Sequence, residues 1–71
     1  MAGSVYKVID IIGTSDTSWE EAARTAVEEA ASHLEDLRVA EVVQLDLHIV
    51  DNKIAAYRAK LSVSFRYHKD A

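Results

Sequence analysis

The chemistry-bearing residues of this chain recur at every second position of two segments. Gln44, Asp46 and His48 alternate in one; Arg58, Lys60, Ser62, Ser64 and Arg66 alternate in the other. A period of two places each set on one face of a β-strand. A ladder of charged and hydrogen-bonding groups of this kind suits contact with an ion, a polar small ligand or further copies of the chain. Cation chemistry would fall to the strand carboxylates Asp46, Asp10 and Glu41. A hard cation such as calcium takes several oxygens from carboxylates, carbonyls and waters. No EF-hand loop is present, so a site would have to be assembled from separate strands or subunits. His33, His48 and His68 are far apart and match no zinc spacing.

Catalytic groups are poorly represented. There is no cysteine. A nucleophilic triad could be drawn from Ser62 or Ser64 with His48 and Asp46. However, Asp46 and His48 lie two apart on one strand face, and no glycine elbow or oxyanion-hole signature accompanies them. Gly3 and Gly13 are the only glycines, which leaves no phosphate loop. The free N–H groups of Gly13-Thr14-Ser15 precede a helix and could hold an anion, but capping by the chain's own side chains is the simpler use. Tyr6, Trp19, Tyr57, Phe65 and Tyr67 are placed for core and interface packing rather than for stacking a planar ligand. An enzyme is not expected.

The elements that must position these residues are legible. Residues 5–12 are β-branched and aromatic and read as a strand that Gly13 ends. Thr17-Ser18-Trp19-Glu20 fits a helix capping box, and Ser18 with Glu21 fits it equally well. A helix is expected over residues 18–36. Its stripe runs Trp19, Ala22, Ala23, Ala26, Val27, Ala30, Ala31 and Leu34, mostly alanine, with Trp19 and Leu34 filling its ends. Small side chains let a helix axis sit close to a sheet. Residues 39–51 and 54–68 read as two long strands joined at Asp51-Asn52-Lys53 into a hairpin, since Asp and Asn tolerate left-handed dihedrals. The reading is an α+β, β-α-β-β fold over residues 1–71 as one domain, a three-stranded antiparallel sheet packed on one helix. Both sides of the first strand are largely apolar, and one helix covers only one of them. Packing against a neighbouring chain is the simplest account of the other.

Seventy-one residues without cysteine lie in the size range where one core supplies only ~3–5 kcal/mol and small domains recruit metals or subunits. Self-association is therefore expected, with a bound ion next. The net charge of −4 argues against nucleic acid, whose phosphates need a basic surface. No apolar run reaches the ~20 residues of a membrane span. Met1–Ser4 lacks the features of an export signal, so a cytoplasmic location is expected.

The sequence resembles the dodecins over nearly its whole length. The resemblance rests on Val5-Tyr6-Lys7-Val8-Ile9-Asp10-Ile11-Ile12-Gly13-Thr14-Ser15, on the alanine-rich helix, on Glu41-Val42 and on Val63-Ser64-Phe65. It implies twelve copies in a hollow shell that stores or sequesters a small ligand without catalysing a reaction. Flavin-binding dodecins carry a Trp just after the helix, in Leu-x-Trp-Phe-Glu-Val. Here that stretch is Leu37-Arg38-Val39-Ala40-Glu41-Val42, so the stacking position is Val39. The family's flavin-bonding Gln, after an aromatic on the last strand, is replaced by Arg58 after Tyr57. Asp46 stands where flavin dodecins often carry a basic residue. Val39 and Arg58 thus mark a degenerate cofactor site, and flavin (FMN or riboflavin) is expected to be bound weakly or not at all. The pattern resembles a flavin-deficient branch of the family in which calcium binding is described. The expected function is a homododecameric, calcium-binding shell using Asp46, then Asp10 and Glu41. The alternatives are a weak flavin or coenzyme A store that uses Arg58, and a structural or partner-binding oligomer without a small ligand.

Overall fold

The computed structural model describes residues 3–66. Strand β1 spans Tyr6–Ser15, helix α1 Trp19–Ala31, strand β2 Leu37–Val50 and strand β3 Lys53–Arg66. The sheet is antiparallel throughout, in the order β1-β3-β2. The last strand in the chain is therefore the central one, flanked by the first strand and by its own hairpin partner. Tyr67 and His68, assigned to the last strand from sequence, lie outside the described residues.

Helix α1 covers one face. Ala22 and Ala26 are buried against Ala59, Leu61 and Val63 of β3, with Ile9, Ile11, Ala23, Val27 and Leu37 packed around them, and Ala30 is buried farther along the helix. Ser18 is the N-cap: its hydroxyl accepts the Glu21 N–H at 3.0 Å, so the second of the two capping registers is the one used. Thr17 belongs instead to the entry turn, where its N–H donates to the Ser15 hydroxyl at 3.0 Å. Glu20 and Glu21 in the first turn suit the positive end of the helix dipole.

The helix is shorter than its periodicity implies. It stops at Ala31 because Ser32 folds back on the preceding turn: its hydroxyl donates to the Glu29 carbonyl at 2.7 Å, and its N–H is shared between the Glu28 and Glu29 carbonyls. Asp36, at φ 59, then turns the chain into β2. Leu34 consequently lies beyond the helix. Trp19 does hold the helix's first end to the sheet. Although 37% exposed, it packs edge-on against Tyr57 with centroids 5.3 Å apart, and its indole N–H donates to the Asp46 carbonyl at 3.0 Å.

Gly13 does not end β1, which continues to Ser15. Its role is contact. A Cβ there would run into the Ala22 carbonyl and lie 2.8 Å from the Ala26 Cβ. Gly13 pairs with Ala59, so the sheet floor is low where the first turns of the helix cross it. The hairpin turn lies where expected but is one residue shorter, because Lys53 already pairs with Val50 at the start of β3; Asp51 is at φ 52 and Asn52 at φ 64. Two successive left-handed residues make the two-residue turn whose twist matches paired strands.

The chain is elongated. Its radius of gyration is 14.9 Å, against about 11 Å for a compact chain of this length. Its accessible surface is 5473 Å², against ~4,400 Å² for a compact monomer of this mass. Apolar strand positions contribute to this surface. Val8 and Ile12 on β1, most of β2 and Ile54 near the hairpin tip are all exposed.

Candidate functional site

The face of the sheet away from the helix carries the polar ladder, and the strand register arranges it in rows. Running from β1 through β3 to β2, these are Val8–Ser64–Val39, Asp10–Ser62–Glu41, Ile12–Lys60–Gln44 and Thr14–Arg58–Asp46. A register shift between Val42 and Gln44 makes this possible, because Val43 has no partner on β3. Strict alternation through β2 would have placed Val39 and Glu41 on the same side as Leu45 and Leu47. The bulge changes the phase, so Val39 and Glu41 join Gln44 and Asp46 on the open face.

Arg58 and Asp46 form a two-point ion pair. Arg58 Nε donates to Asp46 Oδ1 at 2.7 Å and Nη2 donates to Oδ2 at 3.0 Å; the Gln44 amide approaches Oδ2 at 3.4 Å. The hydrogen bond from Arg58, opposed by partial desolvation and helped by the charge of Arg58 and by Gln44, lowers the Asp46 pKa below its ordinary value. The same contact raises that of Arg58. Between the two carboxyl pKa values the unfolded chain binds the extra proton. The pair's contribution is therefore complete above the ordinary aspartate range and is lost as pH falls through the folded value. Urea unfolding midpoints of the parent protein and Asp46→Asn, compared from about pH 6 to about pH 3, are expected to draw closer toward the acid end. A constant gap would show that the carboxylate's charge contributes nothing.

The carboxylates singled out from sequence are not gathered into one cluster. Asp10 and Glu41 stand on either side of Ser62, two strand spacings or about 9.5 Å apart along the row. Asp46 lies rows away and is occupied by Arg58. Among the described residues, no three His, Cys, Asp or Glu side chains converge as metal ligands. The serine triad does not form either: Ser64 donates to the Val39 carbonyl at 3.3 Å, and Ser62 lies two rows from Asp46. Among the described residues no helix is long and apolar enough to cross a membrane.

Beyond the geometry, the sequence model of the dodecin family matches residues 5–68. This chain belongs to the dodecin family. It is 54% identical over 63 residues to the calcium dodecin of Mycobacterium tuberculosis, covering 89% of each chain. The crystal structure of that relative, described as a calcium-chelating immunodominant antigen with a novel calcium-binding site, superposes with a TM-score of 0.83 at 52% identity, covering 96% of this chain and 97% of the other. The dodecin of Streptomyces coelicolor superposes with a TM-score of 0.90 at 31% identity, covering 99% of this chain and all of that one.

Within one dodecin chain, the two positions matched to the flavin site are far apart. Val39 pairs with Ser64, and Arg58 lies six residues along β3 from it, about 20 Å at the rise of a strand. One subunit cannot present both to the same ring. Val39 is exposed and offers no π face, and Arg58 has a carboxylate partner already. Two features were beyond reach of the sequence pattern: the Val43 bulge and the Trp19 bond to the Asp46 backbone. Neither has a local signature, since each depends on where a distant element docks.

Proposed function

We propose that this dodecin is a non-catalytic, cytoplasmic, self-assembling shell that binds and sequesters calcium. The observation that carries the cation reading is the 54% identity, over 89% of the chain, to a relative named for calcium. The row of Asp10, Ser62 and Glu41 is the place we assign to it. Asp10 and Glu41 are exposed carboxylates in one row with the Ser62 hydroxyl between them. Calcium takes six to eight oxygens at about 2.4 Å, so two carboxylates and a hydroxyl leave room for waters and for donors from a neighbouring copy. Asp46, placed first from sequence, could join only by releasing Arg58, and we therefore assign it after Asp10 and Glu41. Self-assembly is supported by the surface excess over a compact monomer and by the apolar positions exposed on β1 and on the hairpin. Domain-level unity over residues 1–71 is part of the same proposal. The occupied Arg58 and ring-free Val39 give no support to flavin or coenzyme A.

Calorimetric titration with calcium chloride is expected to give saturable heat for the parent protein and at least ~10-fold weaker binding for Asp10→Asn/Glu41→Gln. Native mass spectrometry of the same samples should show a species near twelve copies of the 7.9 kDa chain. No heat from the parent protein removes the cation reading, and unchanged affinity in the double variant moves the site elsewhere.

A further inference from the structure

The open face contains a feature that a cation site does not require. Within β2 the side chains are exposed almost throughout, yet Asp46 is half-buried. Arg58 holds it side-on through Nε and Nη2, at 2.7 and 3.0 Å. This is the two-point geometry by which an arginine grips a phosphate or a free carboxylate. The surroundings are donor-rich. Thr14 lies across the sheet in the same row, and Lys60 and Gln44 occupy the next. Asp46 is the sole acidic residue in those two rows. Lys60 makes no ion pair among the described residues.

We propose that Asp46 acts as a built-in anion that sets the charge of ligand this face accepts. Its carboxylate fills the place where a phosphoryl group of a small ligand would meet Arg58. A group tethered in the same chain competes at an effective concentration of about a millimolar or more. A phosphate-bearing ligand at micromolar concentration whose intrinsic affinity for Arg58 matches that of the carboxylate is therefore outcompeted. Without that charge, the guanidinium of Arg58, the ammonium of Lys60, the Gln44 amide and the Thr14 hydroxyl would form an open anion site. Asp46 is thus a specificity-determining residue that acts through Arg58. This role is independent of the calcium reading, and failure of either leaves the other standing.

Inorganic pyrophosphate titrated into the assembled full-length protein in calcium-free buffer tests it. The parent protein is expected to show no saturable binding. Asp46→Asn, which removes the charge and keeps the side-chain shape, should bind saturably, at least about tenfold more tightly than the detection limit that the parent protein fails to reach. The gain should shrink with added salt, as expected for exposed charges, and vanish in Asp46→Asn/Arg58→Gln. Asp46→Glu, which restores the charge, should restore exclusion, a result that a purely structural role for Asp46 would not produce. Equal binding by the parent protein and Asp46→Asn, no gain in Asp46→Asn, or a gain that survives the loss of Arg58 overturns the proposal.

Discussion

Replacing Gly13 with alanine is expected to cost about 3 kcal/mol, at the upper end of overpacking penalties. On local grounds the substitution should help. Alanine restricts the unfolded chain, which is worth ~0.4–1 kcal/mol where the native backbone tolerates it. Gly13 has no positive φ and sits inside a strand. The reversal of sign comes from the helix. The new methyl would strike the Ala22 carbonyl and crowd the Ala26 Cβ. The first contact is with backbone, which cannot step aside by a change of rotamer, so α1 as a whole would have to lift from the sheet. That movement would also pull Trp19 away from Tyr57 and from the Asp46 carbonyl. In a core that supplies only ~3–5 kcal/mol, the loss removes most of the stability. Guanidinium unfolding followed by circular dichroism measures it, and an equal or higher midpoint for Gly13→Ala would show that helix and strand are not in this close contact.

Leu61→Ala is expected to cost ~2–5 kcal/mol through lost burial and the cavity left behind. Leu61 is 2% exposed at the centre of β3, and with Val63 it is the largest side chain wholly enclosed within the subunit. The buried helix residues of its core cluster are Ala22 and Ala26, which have no side-chain length with which to fill a gap. Leu45 is the informative control. It is 49% exposed within the chain, and truncating an exposed side chain usually changes stability by less than ~0.5 kcal/mol. If copies of the chain cover β2, Leu45→Ala should instead approach the cost of Leu61→Ala, and its effect should grow at low protein concentration because association contributes to stability. A small, concentration-independent effect of Leu45→Ala would argue that the β2 face stays in water.

These two sites show how unevenly the sequence could be read. The alanine stripe announced a close helix–sheet contact, and the helix delivers it through Ala22 and Ala26. The same sequence made Gly13 look like a strand terminator, because a glycine inside a β-run has no local mark that separates a break from a close approach. Asp46 and Arg58 were both singled out, one as a cation ligand and the other as a remnant of a flavin site. Their pairing was not foreseen, since twelve positions and a hairpin turn separate them and facing depends on register. Val39 and Glu41 were placed on the right strand, but alternation alone would have turned them to the wrong face.

The sequence by itself determined the β-α-β-β order, the helix stripe, the Asp51-Asn52 turn and the membership of the polar ladder. All of these follow from short-range periodicity, capping and dihedral preference, which act within a few residues. The tertiary structure alone decided that β3 lies between β1 and β2, that a bulge at Val43 brings Glu41 into line with Asp10, and that Arg58 closes on Asp46. Those outcomes depend on how far-apart segments register against one helix. Strand pairing is indifferent to order along the chain until burial of Ala59, Leu61 and Val63 selects the arrangement that removes the most apolar surface from water.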